Sequence, residues 1–97
     1  MKSSVIIVNE ARGAVCNEDA VAKAILDGSI GAFGSDVYSA EPFNEQHPMF
    51  KIKSLPNVCL TPHAAWAAYE SRTRALKIVF DNMKSFLGGE VLNRKDI

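Results

Sequence analysis

The sequence predicts an α/β fold built on a parallel sheet, and three observations carry that prediction. Apolar runs suited to strands fall at Val5 to Val8, Ile30 to Val37 and Asn57 to Leu60. A stretch with helical periodicity lies between the first two, so the chain reads strand, helix, strand over the length of a βαβ unit. The first run is continuous and β-branched, which suits a strand buried on both faces of a parallel sheet.

Val5 to Val8 leads into Asn9-Glu10-Ala11-Arg12-Gly13, a turn with a charged side chain. Asn17 then reads as an N-cap, with Glu18 and Asp19 in the first turn, where the helix dipole favours negative charge. Val21, Ala24 and Ile25 recur at helical spacing, and Gly28 provides a left-handed stop, so the helix spans Asn17 to Asp27. In the second strand Gly31 and Gly34 point to close approach by a neighbouring backbone, and Asp36 lies near its carboxyl end. Ser39 to Pro56 has no clear period and contains Glu41-Pro42, His47-Pro48 and Leu55-Pro56. It reads as a loop with one short helical turn near Met49 and Phe50. A loop this long in a small domain is more often functional than incidental.

The longest element comes last. Trp66, Tyr69, Thr73, Leu76, Phe80, Met83 and Leu87 alternate three and four apart, with Val79 and Phe86 widening the stripe. Glu70–Arg74 and Lys77–Asp81 stand at i,i+4 on the other side. Gly88-Gly89 ends a helix that could run about 30 Å. Part of it is expected to cover the sheet and part to reach another domain or subunit. The tail from Glu90 to Ile97 is polar and is expected to fray or dock elsewhere.

With 97 residues there is room for one small domain. Eleven basic and eleven acidic residues balance to zero net charge, which argues against nucleic acid or an anionic membrane as main partner. No apolar run approaches the roughly 20 residues of a membrane span. The first ten residues lack the apolar core and cleavage site of a signal peptide. Cys16 and Cys59 sit in apolar surroundings and read as buried free thiols, which fits a reducing cytoplasm.

The chemistry converges on one rim. Parallel strands place their carboxyl ends together, and ligands bind there in open α/β sheets. Arg12 follows the first strand, Asp36 closes the second, His63 follows the third, and Glu41 lies in the loop leaving that edge. Histidine exchanges protons near neutral pH, and a nearby carboxylate favours imidazolium and orients the ring. Arginine stays charged and grips a carboxylate through two N–H groups. Such a set suits a reaction on a keto or hydroxy acid. Each residue also has a structural reading: His63 as a hydrogen-bonded strand end, Arg12 paired with Glu18 or Asp19, Asp36 capping a turn, Glu41 solvated. Two other patterns do not qualify as sites. Gly28-Ser-Ile-Gly31-Ala-Phe-Gly34 precedes a strand and opens no helix, the reverse of a phosphate cradle. Cys16, His47, Cys59 and His63 lack metal-ligand spacing, and Cys59 is expected to point into the sheet.

Val8-Asn-Glu-Ala-Arg-Gly13, Ser35-Asp-Val-Tyr-Ser-Ala-Glu-Pro42, and Pro56-Asn-Val58 through Thr61-Pro-His63 resemble, in order and spacing, the D-isomer-specific 2-hydroxyacid dehydrogenases. His63-Ala-Ala-Trp-Ala-Ala-Tyr-Glu70 and Glu41-Pro-Phe-Asn-Glu-Gln-His-Pro48 place the likeness nearest the glycerate dehydrogenase/hydroxypyruvate reductase branch. The resemblance covers essentially the whole chain. It implies a catalytic set of Arg12, binding the substrate carboxylate and carbonyl, His63 as acid/base, and Glu41 as its partner. It implies a cofactor, NAD or NADP, near Glu10, Ala11, Arg12, Asp36, His63, Ala64, Ala65 and Trp66, with Asp36 toward the nicotinamide carboxamide. Glu10 departs from the family, which usually has a small or hydroxyl residue there.

The sequence holds no dinucleotide fingerprint, no acidic ribose-binding residue and no substrate domain. The resemblance therefore implies that residues 1–97 are the second half of a doubly wound, Rossmann-type nucleotide-binding domain. Lys2 fits the family's interior sequence, so Met1 reads as an internal methionine. The first strand would then lack its usual neighbour, and exposed edges invite pairing with another chain. The expectation is a fragment of an NAD(P)-dependent oxidoreductase of small 2-hydroxy or 2-keto acids, cytoplasmic, inactive alone, and either homo-oligomeric or paired with a complementary fragment. Two other readings stay open: a non-enzymatic assembly module pairing with a full-length homologue, and a small acid-binding domain using Arg12 alone.

Overall fold

A computed structural model describes residues 1–93. Its elements, in order, are β1 (Ile6–Asn9), a 3-10 turn at Gly13–Val15, α1 (Glu18–Leu26), β2 (Ala32–Ser35), α2 (Pro48–Ile52), β3 (Val58–Leu60), a 3-10 turn at Ala65–Ala67, and α3 (Tyr69–Leu87). The sheet is three-stranded, all parallel, in the order β1-β2-β3. This is the parallel α/β architecture that the apolar runs predict, of the Rossmann type that the resemblance implies. Contacts divide the chain into two compact units, Met1–Ala65 and Trp66–Ile97.

In the first unit, local chemistry sets each boundary. The Asn17 side chain accepts the Ala20 amide hydrogen at 3.0 Å and opens α1. Such a cap contributes about 1 kcal/mol. Gly28, at φ 75°, takes the left-handed conformation that ends the helix. The expected turn near Met49 is α2, with Pro48 at its start and the His47 ring as its cap. β2 is shorter than the apolar run, because its ladders reach only from Ala32 to Ser35. Gly31 makes the close approach expected of it: a Cβ there would stand 3.1 Å from the Ser4 carbonyl carbon. Gly34 does not, since a Cβ there would meet the Val8 side chain at an ordinary 3.6 Å.

Side chains alternate across a strand, and the register puts Ile7, Phe33 and Val58 on one face. That face packs with Ala22 and Ile25 of α1 and Met49 and Ile52 of α2. Met49 and Ile52 are fully buried, and each such side chain contributes about 1.5–3 kcal/mol.

The opposite face corrects two expectations. Ile6 and Val8 are 68% and 64% exposed, so β1 is not buried on both faces within this unit. Cys59, in register with Val8 and Gly34, is exposed rather than buried. Both helices of the first unit pack on the other side, and nothing in residues 1–65 covers this one.

In the second unit α3 runs for 19 residues, about 28 Å. It ends at Gly88, with Gly89 at φ 74°. Lys77 and Asp81 close their i,i+4 pair at 2.6 Å, while the Glu70–Arg74 pair is not among the ion pairs of the described residues. Of the tail, residues 94–97 lie outside the described residues. No described helix is long and apolar enough to cross a membrane.

Candidate active site

The carboxyl ends of the three strands carry the polar residues. Asn9, the last residue of β1, is buried and folds the following turn around itself. Its Oδ1 accepts the Ala11 amide hydrogen at 3.1 Å and its Nδ2 donates to the Arg12 carbonyl at 2.9 Å. Gly13 then presses this turn onto the segment after β2, where a Cβ would fall 2.0 Å from the Tyr38 carbonyl carbon. The Arg12 backbone is thereby anchored beside the loop that carries Glu41, while its side chain is exposed and donates to the Ala11 carbonyl. The hydrogen bond of Arg12 goes to that carbonyl and not to Glu41 or His63, so the structure brings the acid and the imidazole together without joining the guanidinium to them. Neither Glu18 nor Asp19 pairs with Arg12; Glu18 is engaged by Ser39 and His47.

Asp36 follows β2 and is buried. Its Oδ1 accepts the Thr61 hydroxyl at 2.6 Å and the Ala64 amide at 2.9 Å, and its Oδ2 accepts the Ala65 amide at 2.9 Å. These bonds, Thr61 first and then the two amides, hold its pKa below the ordinary aspartate value. They also bracket His63, whose backbone is left-handed at φ 53°. That conformation costs a side-chain-bearing residue about 1–2 kcal/mol. Asp36 offsets it by gathering the donors on both sides.

Thus oriented, His63 meets Glu41 with Nδ1 to Oε2 at 2.6 Å. The other carboxylate oxygen of Glu41 accepts the Tyr38 amide at 2.8 Å. The His63 bond and then the Tyr38 amide hold the Glu41 pKa below the ordinary glutamate value. The pair lines a cleft of about 370 Å³ with Tyr38, Pro42, Phe43 and Pro62. Both side chains are a little over a third exposed, so solvent and small solutes reach them. The Tyr38 hydroxyl shares its proton between the carbonyls of Ser35 and Thr61, at 2.9 and 2.8 Å, tying the ends of β2 and β3 together. Burial raises the Tyr38 pKa. Tyr38 and Thr61 lie inside the motifs read from the sequence, but nothing in their spacing signals these bonds.

A second cleft of about 250 Å³ opens at the same rim, lined by Val8, Glu10, Gly34, Ser35, Asp36, Cys59 and Thr61. A carboxylate offers about four acceptor positions. Asp36 fills three of them internally, leaving one on Oδ2 for an outside donor such as a carboxamide N–H. The rim therefore holds one acceptor position of the kind a nicotinamide carboxamide would use. Ala64 and Ala65 supply backbone amides to Asp36, and Trp66, which begins the second unit, is exposed. Among the described residues no three His, Cys, Asp or Glu side chains gather as a metal site.

Comparison with known proteins gives a consistent result. The family profile described as D-isomer specific 2-hydroxyacid dehydrogenase, NAD binding domain, matches residues 1–65. A glyoxylate reductase of Aeropyrum pernix is 41% identical over 91 residues, covering 94% of this chain and 26% of that protein. A hydroxypyruvate reductase of Blautia hydrogenotrophica is 39% identical, covering 96% of this chain and 28% of that protein. Among solved structures, the NADPH-dependent glyoxylate/hydroxypyruvate reductase of Sinorhizobium meliloti with citrate superposes with a TM-score of 0.76 at 33% identity, covering 93% of this chain and 28% of that one. The D-lactate dehydrogenase of Lactobacillus jensenii with NAD+ gives a TM-score of 0.76 at 26% identity, covering 97% of this chain and 32% of that one. The chain spans little more than a quarter of the length of the curated relatives it matches.

Proposed function

Since the chain belongs to the D-isomer specific 2-hydroxyacid dehydrogenase family, whose cofactor is NAD or NADP, we propose that it carries the acid–base portion of an oxidoreductase acting on small 2-hydroxy or 2-keto acids, glyoxylate or hydroxypyruvate foremost. The observation that carries this reading is the 2.6 Å contact between His63 Nδ1 and Glu41 Oε2 at the ligand-binding rim of a parallel sheet. On this reading residues 1–97 are the second half of a nucleotide-binding domain.

A reduced nicotinamide, when bound, would supply a hydride for the keto carbon. The remaining work falls to side chains of this chain. His63, held through Nδ1, would pass a proton from Nε2 to the carbonyl oxygen of the substrate. Glu41 stabilises the imidazolium before the transfer and keeps the ring in one orientation after it. Arg12 grips the substrate carboxylate with the N–H groups it does not spend on Ala11. Asp36 would offer its remaining acceptor position to the carboxamide of the cofactor, with Glu10, Ala11, Ala64 and Ala65 of the same unit beside it. Glu10 adds a negative charge that weakens dinucleotide binding at this rim.

The test is a chimera. The matching segment of the Aeropyrum pernix glyoxylate reductase is replaced by this chain and assayed for NAD(P)H oxidation with glyoxylate and hydroxypyruvate. Turnover that disappears with His63→Ala is expected. A folded chimera that binds NADPH and shows no turnover overturns the proposal. The isolated chain is expected to be inactive, and steady NADH oxidation by it would refute that part.

The uncovered Ile6 and Val8 favour a second reading, an assembly module that pairs through β1 with another copy or a full-length homologue. A pull-down recovering no such homologue, with a chain that stays monomeric at high concentration, argues against it.

A further inference from the structure

Beyond the His63–Glu41 pair the first unit holds a second acid–imidazole pair, which the chemistry above does not use. The Glu18 side chain is 10% exposed and that of His47 8%, and His47 Nε2 lies 3.1 Å from Glu18 Oε2. His47 Nδ1 accepts the Met49 amide hydrogen at 3.3 Å, so in the neutral ring the proton sits on Nε2, facing Glu18. Glu18 also takes Ser39 from two sides: Oε1 accepts its amide at 3.0 Å and Oε2 accepts its hydroxyl. The Ser39 oxygen in turn lies 3.3 Å from His47 Nε2. The His47 ring stacks on Phe43 at 5.0 Å, and Phe43 meets Tyr38 edge-on at 4.8 Å.

Ser39 stands two residues before Glu41 and Phe43 two residues after it. Glu18 and His47 therefore hold both flanks of the short loop from which the Glu41 carboxylate reaches His63. A surface loop without such anchors would share its time among conformations, and a 2.6 Å bond across it would be made only part of the time. We propose that Glu18 and His47 are positioning residues: their buried hydrogen-bonded pair, through Ser39 and Phe43, keeps Glu41 on Nδ1 of His63. The role of this pair in turnover rests on the dehydrogenase reading; its role in the geometry does not.

The chain has two histidines, so their ring nitrogens are separable by NMR. The measurement is the ¹⁵N chemical shifts of the His63 ring in the full chain at neutral pH, with Glu41→Ala as the reference for a lost partner. In the unaltered chain the Nδ1–H form is expected to dominate. Glu18→Ala and His47→Ala are expected to move the His63 nitrogens at least half of the way to their positions in Glu41→Ala, while amide signals from β1 and α1 stay dispersed. Unmoved His63 nitrogens in a folded variant overturn the proposal. Should the alanine variants unfold, Glu18→Gln, which keeps the Ser39 amide acceptor and removes the charge, decides it: an intermediate shift supports the role and no shift overturns it. A chimera without turnover whose His63 tautomer still depends on Glu18 refutes the dehydrogenase reading alone.

Discussion

Gly13 lies so close to Tyr38 that a Cβ on it would stand 2.0 Å from the Tyr38 carbonyl carbon and 2.2 Å from the Ser39 nitrogen. The obstacle is backbone, and the Tyr38 amide is already committed to Glu41. The turn bearing Arg12 and the loop bearing Glu41 are thus registered against each other at the one residue with no side chain.

Gly13→Ala is therefore expected to force these segments apart. Overpacking of this kind costs about 1–3 kcal/mol. Urea unfolding should show a lower midpoint with an unchanged slope, and the His63 ring signals should shift with it. A midpoint matching the unaltered chain would show that the turn has more room than this contact implies.

In the chimera, His63→Gln is expected to reduce kcat by about 10²–10⁴-fold, the range attributed to general acid–base catalysis. Glu41→Gln should act in the same direction and less severely, because an amide still holds the ring but does not stabilise its cation. Arg12→Lys should raise KM for the keto acid more than it lowers kcat, since a single ammonium replaces a two-pronged grip. Steady-state kinetics on the three variants separates these roles.

Asp36 and Glu41 both have lowered pKa values. Such a carboxyl binds its proton more readily in the unfolded chain than in the fold. Its contribution to stability is complete above the ordinary carboxylate range and is lost as pH falls through the lowered value. Urea midpoints are expected to hold from neutral pH to mildly acid conditions and then fall. Asp36→Asn should lower the midpoint at neutral pH and flatten the acid limb, because an amide presents N–H groups to donors at Thr61, Ala64 or Ala65. An Asp36→Asn profile parallel to that of the unaltered chain would exclude Asp36 as a source of the acid sensitivity.

Ile6 and Val8 occupy the face of β1, an edge strand, that nothing else in residues 1–65 covers. Replacing both with lysine is expected to leave unfolding within about 0.5 kcal/mol, as for exposed positions generally. Sedimentation velocity should show the unaltered chain associating as concentration rises and the double variant remaining monomeric. If both sediment alike, β1 is not the contact.

Elements whose cause is local are legible in the sequence. Asn17 caps α1, Gly28 ends it, Pro48 opens a short helix where one turn was expected, and the three strands stand within a few residues of their apolar runs. The shared rim of His63, Glu41 and Asp36 was legible too, because parallel strands bring their carboxyl ends together whatever the detail. The exposure of Ile6, Val8 and Cys59 is not legible there, because a continuous apolar run does not say whether a second layer covers its far face.

By itself the sequence determined the order and type of the elements and the residue types available at the rim, since propensity, capping and periodicity act over a few neighbours. Only the tertiary structure decided which of those residues meet. Glu18 turned from Arg12 to Ser39 and His47, Asp36 became the anchor of the left-handed His63, and Gly13 became the contact point for Tyr38. Those pairings span 21 to 29 residues of chain, and their partners are set by how α1, the sheet and the long loop pack, which no local pattern encodes.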